Sequence, residues 1–302
     1  METVLISGAS GLIGKNLSKH LIINGYNVIS LSRNLSQNTN VKTFFWNVEK
    51  NIIDVNAFRT IDYIIHLAGE NIGDKRWSDK RKKVLLESRI HSTNLLLSEI
   101  KKQNIKLKAF ISASAIGYYG SITSNKIFDE NDSPSNDFLG TICQKWENAV
   151  DEFQKLGIRT VKIRTGVVFS KKGGALEKMI QPIKLGLVSA LGTGKQYIPW
   201  IHIDDLCKIY AKAIEDDSIN GVYNAVAPEH VNNVELTKVL AITLKKAYFL
   251  PNIPSFLIRL IFGQRATLLL KGSRVSSKKI ISTGYQFNFP NINSALTDLF
   301  RL

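Results

Sequence analysis

A short apolar run, TVLIS at residues 3–7, leads straight into GASGLIG, which spaces Gly8, Gly11 and Gly14 three residues apart. After the turn, Leu12, Ile13, Leu17 and Leu21 recur at the spacing of one buried helical face, and Asn24-Gly25 ends the pattern. Strand, glycine turn and helix in that order open a βαβ unit. The first glycine of such a turn permits the tight bend, the second lets backbone approach a diphosphate, and the third lets helix pack on strand. Three glycines alone are a weak signal; their place directly after the first strand gives it weight. The turn makes Gly8, Ser10, Gly11, Leu12, Ile13 and Gly14 candidate contacts for a dinucleotide.

The rest of the first half repeats the theme. NVISLS (27–32), VKTFFW (41–46), YIIHLA (63–68), AFISASA (109–115) and TVKIRTGVVF (160–169) are continuous runs, as strands covered on both faces require. Helical patterns lie between them. One covers 79–102, with Leu86, Ile90, Thr93, Leu97 and Ile100 on a single stripe, and another covers 140–156. The succession predicts an α/β fold built on a doubly wound, Rossmann-type parallel sheet. After Ser170 the pattern changes to glycine-punctuated loops and separate helices near 174–186, 204–216, 233–245 and 255–270, with β-like runs at YIPWI and VYNAV. The expected division is a nucleotide-binding domain over 1–170 and a smaller, mixed substrate domain over 171–302, some of whose segments return to the first.

The end of the second strand bears on which dinucleotide fits. An NAD site places a carboxylate there to grip the adenosine ribose, whereas this chain has Ser32-Arg33. A guanidinium pairs with a 2′-phosphate through two parallel hydrogen bonds. NADP(H) is therefore expected over NAD(H), which the pattern still permits; the ordinary alternative is a solvated loop arginine. Asn47 and Val48, after the third strand, suit the edge and face of an adenine.

Composition narrows the partners. Lys and Arg number 40 against 25 Asp and Glu, a net charge of +15 that raises the question of a polyanion. The densest basic run, KRWSDKRKK at 75–83, sits where a helix begins and interleaves only Trp77, so nucleic-acid binding is not expected. Cys143 and Cys207 form neither a disulfide framework nor a paired-cysteine zinc site, and no metal is expected. The first residues lack a basic signal region, and the apolar stretch 256–270 is broken by Arg259, Gly263, Gln264 and Arg265. A cytoplasmic monomer or homodimer without a membrane span, acting on a small molecule, is the expectation.

With these pieces placed, the sequence resembles the extended short-chain dehydrogenase/reductase superfamily, and within it the branch of epimerase family proteins related to nucleotide-sugar epimerases. The motifs that carry the resemblance span the chain: GASGLIG (8–14), HLAGENIGDKRW (66–77), SRIHST (88–93), SASAIGYYG (112–120), CQKWE (143–147), RTGVVFSKKGGAL (164–176), GTGKQYIPWIHIDDL (192–206) and GYQF (284–287). The resemblance implies that Leu67, Ala68 and Gly69 line the cofactor below the fourth strand. It implies that Arg164, Thr165 and Gly166 sit beside the nicotinamide, and that Trp200, His202 and Asp204 anchor the second domain on the first.

Typical members of the superfamily use a serine at the end of strand five and a Tyr-x-x-x-Lys on the next helix. The lysine lowers the tyrosine pKa, so the phenolate can accept a substrate proton while hydride moves. Ser112 and Ser114 are the candidate serines. Setting CQKWE on the usual helix puts Leu139 at the tyrosine's position and Cys143 at the lysine's, so the dyad does not carry over. Cys143 is retained as a cofactor contact, with a buried core residue as its alternative. The candidate catalytic groups are Ser114, Tyr118, Tyr119 and Glu70. Lys75 and Arg76, with Lys195 and Tyr197 of the GTGKQYIPW loop, are candidates for the substrate. Each has an ordinary alternative: Tyr119 as a loop anchor, Glu70 as a hydrogen-bond partner behind the site, Lys75 and Arg76 as solvated charges, the loop as domain packing. The sequence thus reads as an NADP(H)-dependent oxidoreductase or epimerase acting on a small polar substrate, anionic or nucleotide-linked. The rival is a non-catalytic dinucleotide-binding scaffold or redox sensor that acts through a protein partner.

Overall fold

The continuous apolar runs become strands of one sheet, and the computed structural model describes residues 1–35 and 41–300. Along the first half run β1 (Thr3–Ser7), α1 (Leu12–Ile23), β2 (Asn27–Ser32), β3 (Lys42–Asn47), β4 (Ile52–Ile53), β5 (Tyr63–His66), α2 (Asp79–Gln103), β6 (Ala109–Ala115), β7 (Ile127–Phe128), α3 (Phe138–Asp151) and β8 (Arg159–Thr165). The second half adds β9 (Val167–Phe169), α4 (Gly174–Lys184), β10 (Trp200–His202), α5 (Ile203–Glu215), β11 (Gly221–Ala225), α6 (Asn233–Thr243), α7 (Ser255–Phe262), α8 (Thr267–Leu270), β12 (Arg274–Val275), α9 (Lys278–Ser282) and α10 (Ile292–Phe300).

The main sheet has the order β11-β8-β6-β5-β1-β2-β3-β4, parallel except where β4 runs against β3. Strand side chains alternate between its two faces. Val4 and Ile6 of β1 join Ile65, Ile111 and Val161 under α1 and α5, while Leu5, Ile64 and Phe110 pack with Leu96 of α2 and Trp146 of α3. Each such fully buried side chain contributes about 2–3 kcal/mol of transfer free energy. The strand order reverses between β1 and β5, and the crevice beyond their carboxyl ends is where open α/β sheets take ligands.

Three elements differ from the sequence reading. The expected strand 160–169 divides at Gly166, whose N–H bonds Ala225 O (3.0 Å) while Val167 N–H turns to Pro199 O (2.7 Å). The chain thereby steps from the main sheet into the β9–β10 pair. The expected helix 255–270 is three pieces, α7, a 3-10 turn at 263–266 and α8; Arg76 Nη2 takes the Leu260 and Ile261 carbonyls at the end of α7. The helix expected from 140 starts at Phe138, because the Asp137 side chain caps it at Gly140 N–H (2.9 Å), and it ends at Asp151.

VYNAV becomes β11 at the edge of the main sheet, beside β8. β9, α4, β10, α6 and α10 share a separate core of Phe169, Leu176, Trp200, Leu236 and Leu296. Asp205, fully buried, ties this part to the sheet layer by accepting from Asn288 N–H (2.8 Å), Phe289 N–H (2.9 Å) and Tyr285 OH (3.0 Å). His202 caps α5 through Asp204 N–H (3.2 Å) and lies 3.3 Å from Asp298 on α10. Among the described residues, no helix is long and apolar enough to cross a membrane.

Candidate cofactor and substrate site

Two cavities open at the carboxyl ends of the strands. The first, about 480 Å³, is lined by Gly8, Ser10 and Gly11 of the turn, Arg33 after β2, Asn47 and Val48 at the end of β3, and Leu67 to Glu70 after β5. Gly8 has φ +79°, and a Cβ there would lie 2.9 Å from the Leu67 carbonyl carbon; a Cβ on Gly14 would lie 2.3 Å from Gly8 O. Only glycine lets turn, helix and β5 approach this closely. Helix α1 has no side-chain cap and no acid in its first turn, whereas α2 and α3 are capped by Ser78 and Asp137. Its first N–H groups therefore stay available to an anion. These features fit the adenosine and diphosphate of a dinucleotide. Leu12, Ile13 and Gly14 lie outside the lining: Leu12 packs toward Gly174, Ile13 on the core, and Gly14 against the turn.

Arg33 projects over this cavity with its side chain 72% exposed, and its Nη1 lies 4.0 Å from Glu70 Oε1. Glu70 accepts from Arg81 Nη1 at 2.8 Å, and this hydrogen bond holds its carboxyl below the usual carboxylate range. Glu70 lines the first cavity rather than the second, so the structure does not bring it to Tyr118 and Tyr119, the candidate phenols with which the sequence grouped it. Beneath the seam, His66 is buried between Ser7 Oγ (2.6 Å) and Ser92 Oγ (3.1 Å); burial pulls its pKa down to about 3, so the imidazole is neutral.

The second cavity, about 290 Å³, lies beyond β6 and β8. Tyr119, Cys143, Thr165, Gly166 and Tyr197 come together on its wall. Burial pushes the Cys143 thiol up to about 12, which keeps it protonated. Ser114, Tyr118 and Arg164 are behind the wall, outside both linings. Lys75, Arg76 and Lys195 are exposed and line neither cavity, and Arg76 is spent on the α7 carbonyls. Sequence reasoning missed Arg89 and Gln196 on the lining. Both lay inside quoted motifs, SRIHST and GTGKQYIPW, with nothing local to single them out.

Behind Tyr119 runs a buried polar network. Arg164 makes a two-pronged pair with Glu147, Nε to Oε1 and Nη2 to Oε2, both at 2.8 Å. Ser114 Oγ donates to Glu147 Oε1 at 2.6 Å. Tyr119 OH donates to Asn224 Oδ1 at 2.7 Å and accepts from Arg164 Nη1 at 3.0 Å, and the Arg164 guanidinium stacks on the Tyr118 ring at 3.3 Å. The hydroxyls of Ser114 and Tyr119, expected to face a reacting group, are committed inward. Burial raises the Tyr119 phenol above its ordinary pKa, and Arg164 opposes that rise.

Known proteins resemble this chain along its whole length. Residues 4–225 match the model of the NAD dependent epimerase/dehydratase family, and residues 253–299 match a domain of unknown function, DUF1731. The human epimerase family protein SDR39U1 is 35% identical over 302 residues, covering 98% of this chain and 99% of its own. The epimerase family protein YfhF of Bacillus subtilis is 33% identical over 298 residues, covering 98% and 97%. The crystal structure of human SDR39U1 isoform 2 with NADPH superposes with a TM-score of 0.87 at 32% identity, covering 99% of each chain. A nucleoside-diphosphate sugar epimerase from Corynebacterium glutamicum follows at 0.80 and 30%, covering 99% of this chain and 58% of its own.

Proposed function

The chain belongs to the NAD dependent epimerase/dehydratase family, and from that premise we propose that it is an NADP(H)-dependent oxidoreductase or epimerase acting on a small polar substrate in the second cavity. The observation that carries this reading is the pairing of an uncapped α1 N-terminus with Arg33 across one cavity. The NADPH bound by human SDR39U1 supports it. Gly8, Ser10 and Gly11 would hold the diphosphate, Arg33 the 2′-phosphate, Asn47 and Val48 the adenine, and Leu67, Ala68 and Gly69 the strand-side face. Cys143, Thr165 and Gly166 would bound the nicotinamide and keep water from it. When bound, the dinucleotide supplies a hydride donor or acceptor.

Of the four catalytic candidates, Tyr119 alone lines the second cavity, and the Arg164 guanidinium on its hydroxyl opposes the rise that burial imposes on the phenol's pKa without reversing it. A second reading, a dinucleotide-holding scaffold or sensor, is favoured by the inward donation of Ser114 and Tyr119. Titrating tryptophan fluorescence, with Trp46 on the first cavity, should give NADPH at least about tenfold tighter binding than NADH. Equal affinities would overturn the Arg33 assignment. NADPH consumption on a carbonyl panel, lost in Tyr119→Phe, separates enzyme from scaffold.

A further inference from the structure

Arg89, in the middle of α2, is a cation with no carboxylate paired to its guanidinium among the described residues; the Glu70 charge acts on it only from a distance. Its guanidinium donates to the Leu85 carbonyl (2.8 Å) and the Glu70 carbonyl (3.1 Å) and lies 5.2 Å from the Trp146 ring centre. Among the described residues, no carboxylate oxygen comes within 4.0 Å of it. Other arginines with largely buried side chains differ: Arg81 has Glu70, Arg159 has Asp217, and Arg164 has Glu147. A cation held by neutral carbonyls in a low-dielectric wall is costly to keep unless an anion meets it.

The cavity that Arg89 lines repeats the pattern. Its ionisable cations are Arg89 and, at the rim, Lys271, and no aspartate or glutamate lines it. The first cavity, which suits a polyanion, carries Glu49, Glu70 and Glu87. Most of the second lining is apolar, with Ile116, Leu139, Met179 and Leu268 among it. Gln196 adds one directed group. Its amide N–H groups are taken by the Leu191 (3.0 Å) and Leu269 (2.9 Å) carbonyls, which leaves Oε1 a buried acceptor without a partner. At about 290 Å³ the space lies at the small end for ligand sites, and a nicotinamide ring must share it.

We propose that Arg89 is the anion-binding residue of the second cavity. Its ligand is a carboxylate or phosphate oxygen, carried either by the small polar substrate or by the dinucleotide diphosphate where it passes Gly69; the Arg89 side chain lies 3.3 Å from where a Gly69 Cβ would stand. The assignment rests on the dinucleotide reading above, because the cofactor's course past Gly69 defines the cavity's remaining space.

The test uses Arg89→Gln, which keeps an N–H donor for the Glu70 carbonyl, and Arg89→Lys, which keeps the charge. Calorimetry follows NADPH, adenosine 2′,5′-bisphosphate, and benzoate against its neutral counterpart benzamide on NADP⁺-saturated protein. For a substrate anion, wild type prefers benzoate by at least about tenfold, Arg89→Gln loses the preference, Arg89→Lys retains part of it, and NADPH affinity is unchanged. For the diphosphate, Arg89→Gln weakens NADPH by at least about tenfold while adenosine 2′,5′-bisphosphate binds as before. If Arg89→Gln does not fold, the wild-type preference and the Arg89→Lys affinities decide by the same criteria. No preference for benzoate together with unchanged NADPH affinity overturns the proposal. Wild type that binds no NADPH at all defeats the cofactor reading instead, so the two failures are distinguishable.

Discussion

The two cavities have no lining residue in common, though Arg89 of the second packs on Gly69 of the first, and they are built by different means. The first is largely a product of backbone: a glycine turn, the uncapped N-terminus of α1, and the ends of β1, β2, β3 and β5, all within the first 92 residues. The second is a product of side chains from α2, β6, α3, β8, the 196–199 loop and the 267–275 segment. A site made of backbone tolerates few alternatives, whereas a site made of assembled side chains can change its ligand by substitution.

The largest expected effect tests whether the second wall depends on its buried pair. Glu147 and Arg164 side chains are 6% and 3% exposed. Glu147→Gln leaves the guanidinium uncompensated and should lower the unfolding free energy by about 3–5 kcal/mol, read as a shifted urea midpoint. If the two cavities are as separate as their construction indicates, NADPH should still be preferred over NADH in the folded variant. An unchanged midpoint would mean that the wall stands without the pair.

Next in size is the cation of the first cavity. Arg33→Gln should cut the preference for NADPH over NADH by about tenfold to a hundredfold, the range of one hydrogen bond to a charged group. Benzoate binding at the second cavity should not move. A preference that survives the substitution would transfer the 2′-phosphate to another residue of that lining.

Legibility in the sequence follows the same division. The glycine turn and the parallel strands were readable because strand, turn and helix are local and the turn's geometry admits only particular residues; Arg33, expected beside them, lies on the first lining. The resemblance put Arg164, Thr165 and Gly166 beside the nicotinamide; the structure puts Thr165, Gly166 and Cys143 on the second lining and Arg164 behind it. Tyr119 was identified, but the direction of its hydroxyl was not, since Asn224 lies 105 residues away and enters only when β11 joins the sheet. Glu70 lies on the first cavity and accepts from Arg81, a partner that adjacency to HLAG could not show. Arg89 could not be singled out at all: in the sequence it is one more charge on a helix, and what distinguishes it is the carboxylate it lacks. Division of the 160–169 run at Gly166 likewise depended on a partner, Pro199, that is distant in the chain.

The smallest expected effect probes the seam itself. His66 ends β5 just before Leu67 and Gly69, and it is fully buried with Ser7 and Ser92 on its two nitrogens. Burial, with Arg89 nearby, lowers its pKa to about 3 from an ordinary value near 6.5. The folded chain therefore keeps a neutral imidazole between those values while the unfolded chain binds a proton. Its contribution is whole above pH 6.5 and is lost as pH falls toward 3, at up to about 1.4 kcal/mol per pH unit. His20, His202 and His230 are also shifted down by burial and add to the wild-type slope, so the informative quantity is a difference. Urea unfolding of wild type and His66→Gln between pH 7 and pH 5 should show the variant less stable at pH 7 but with the flatter pH dependence. Parallel slopes would mean that His66 is not held neutral between Ser7 and Ser92.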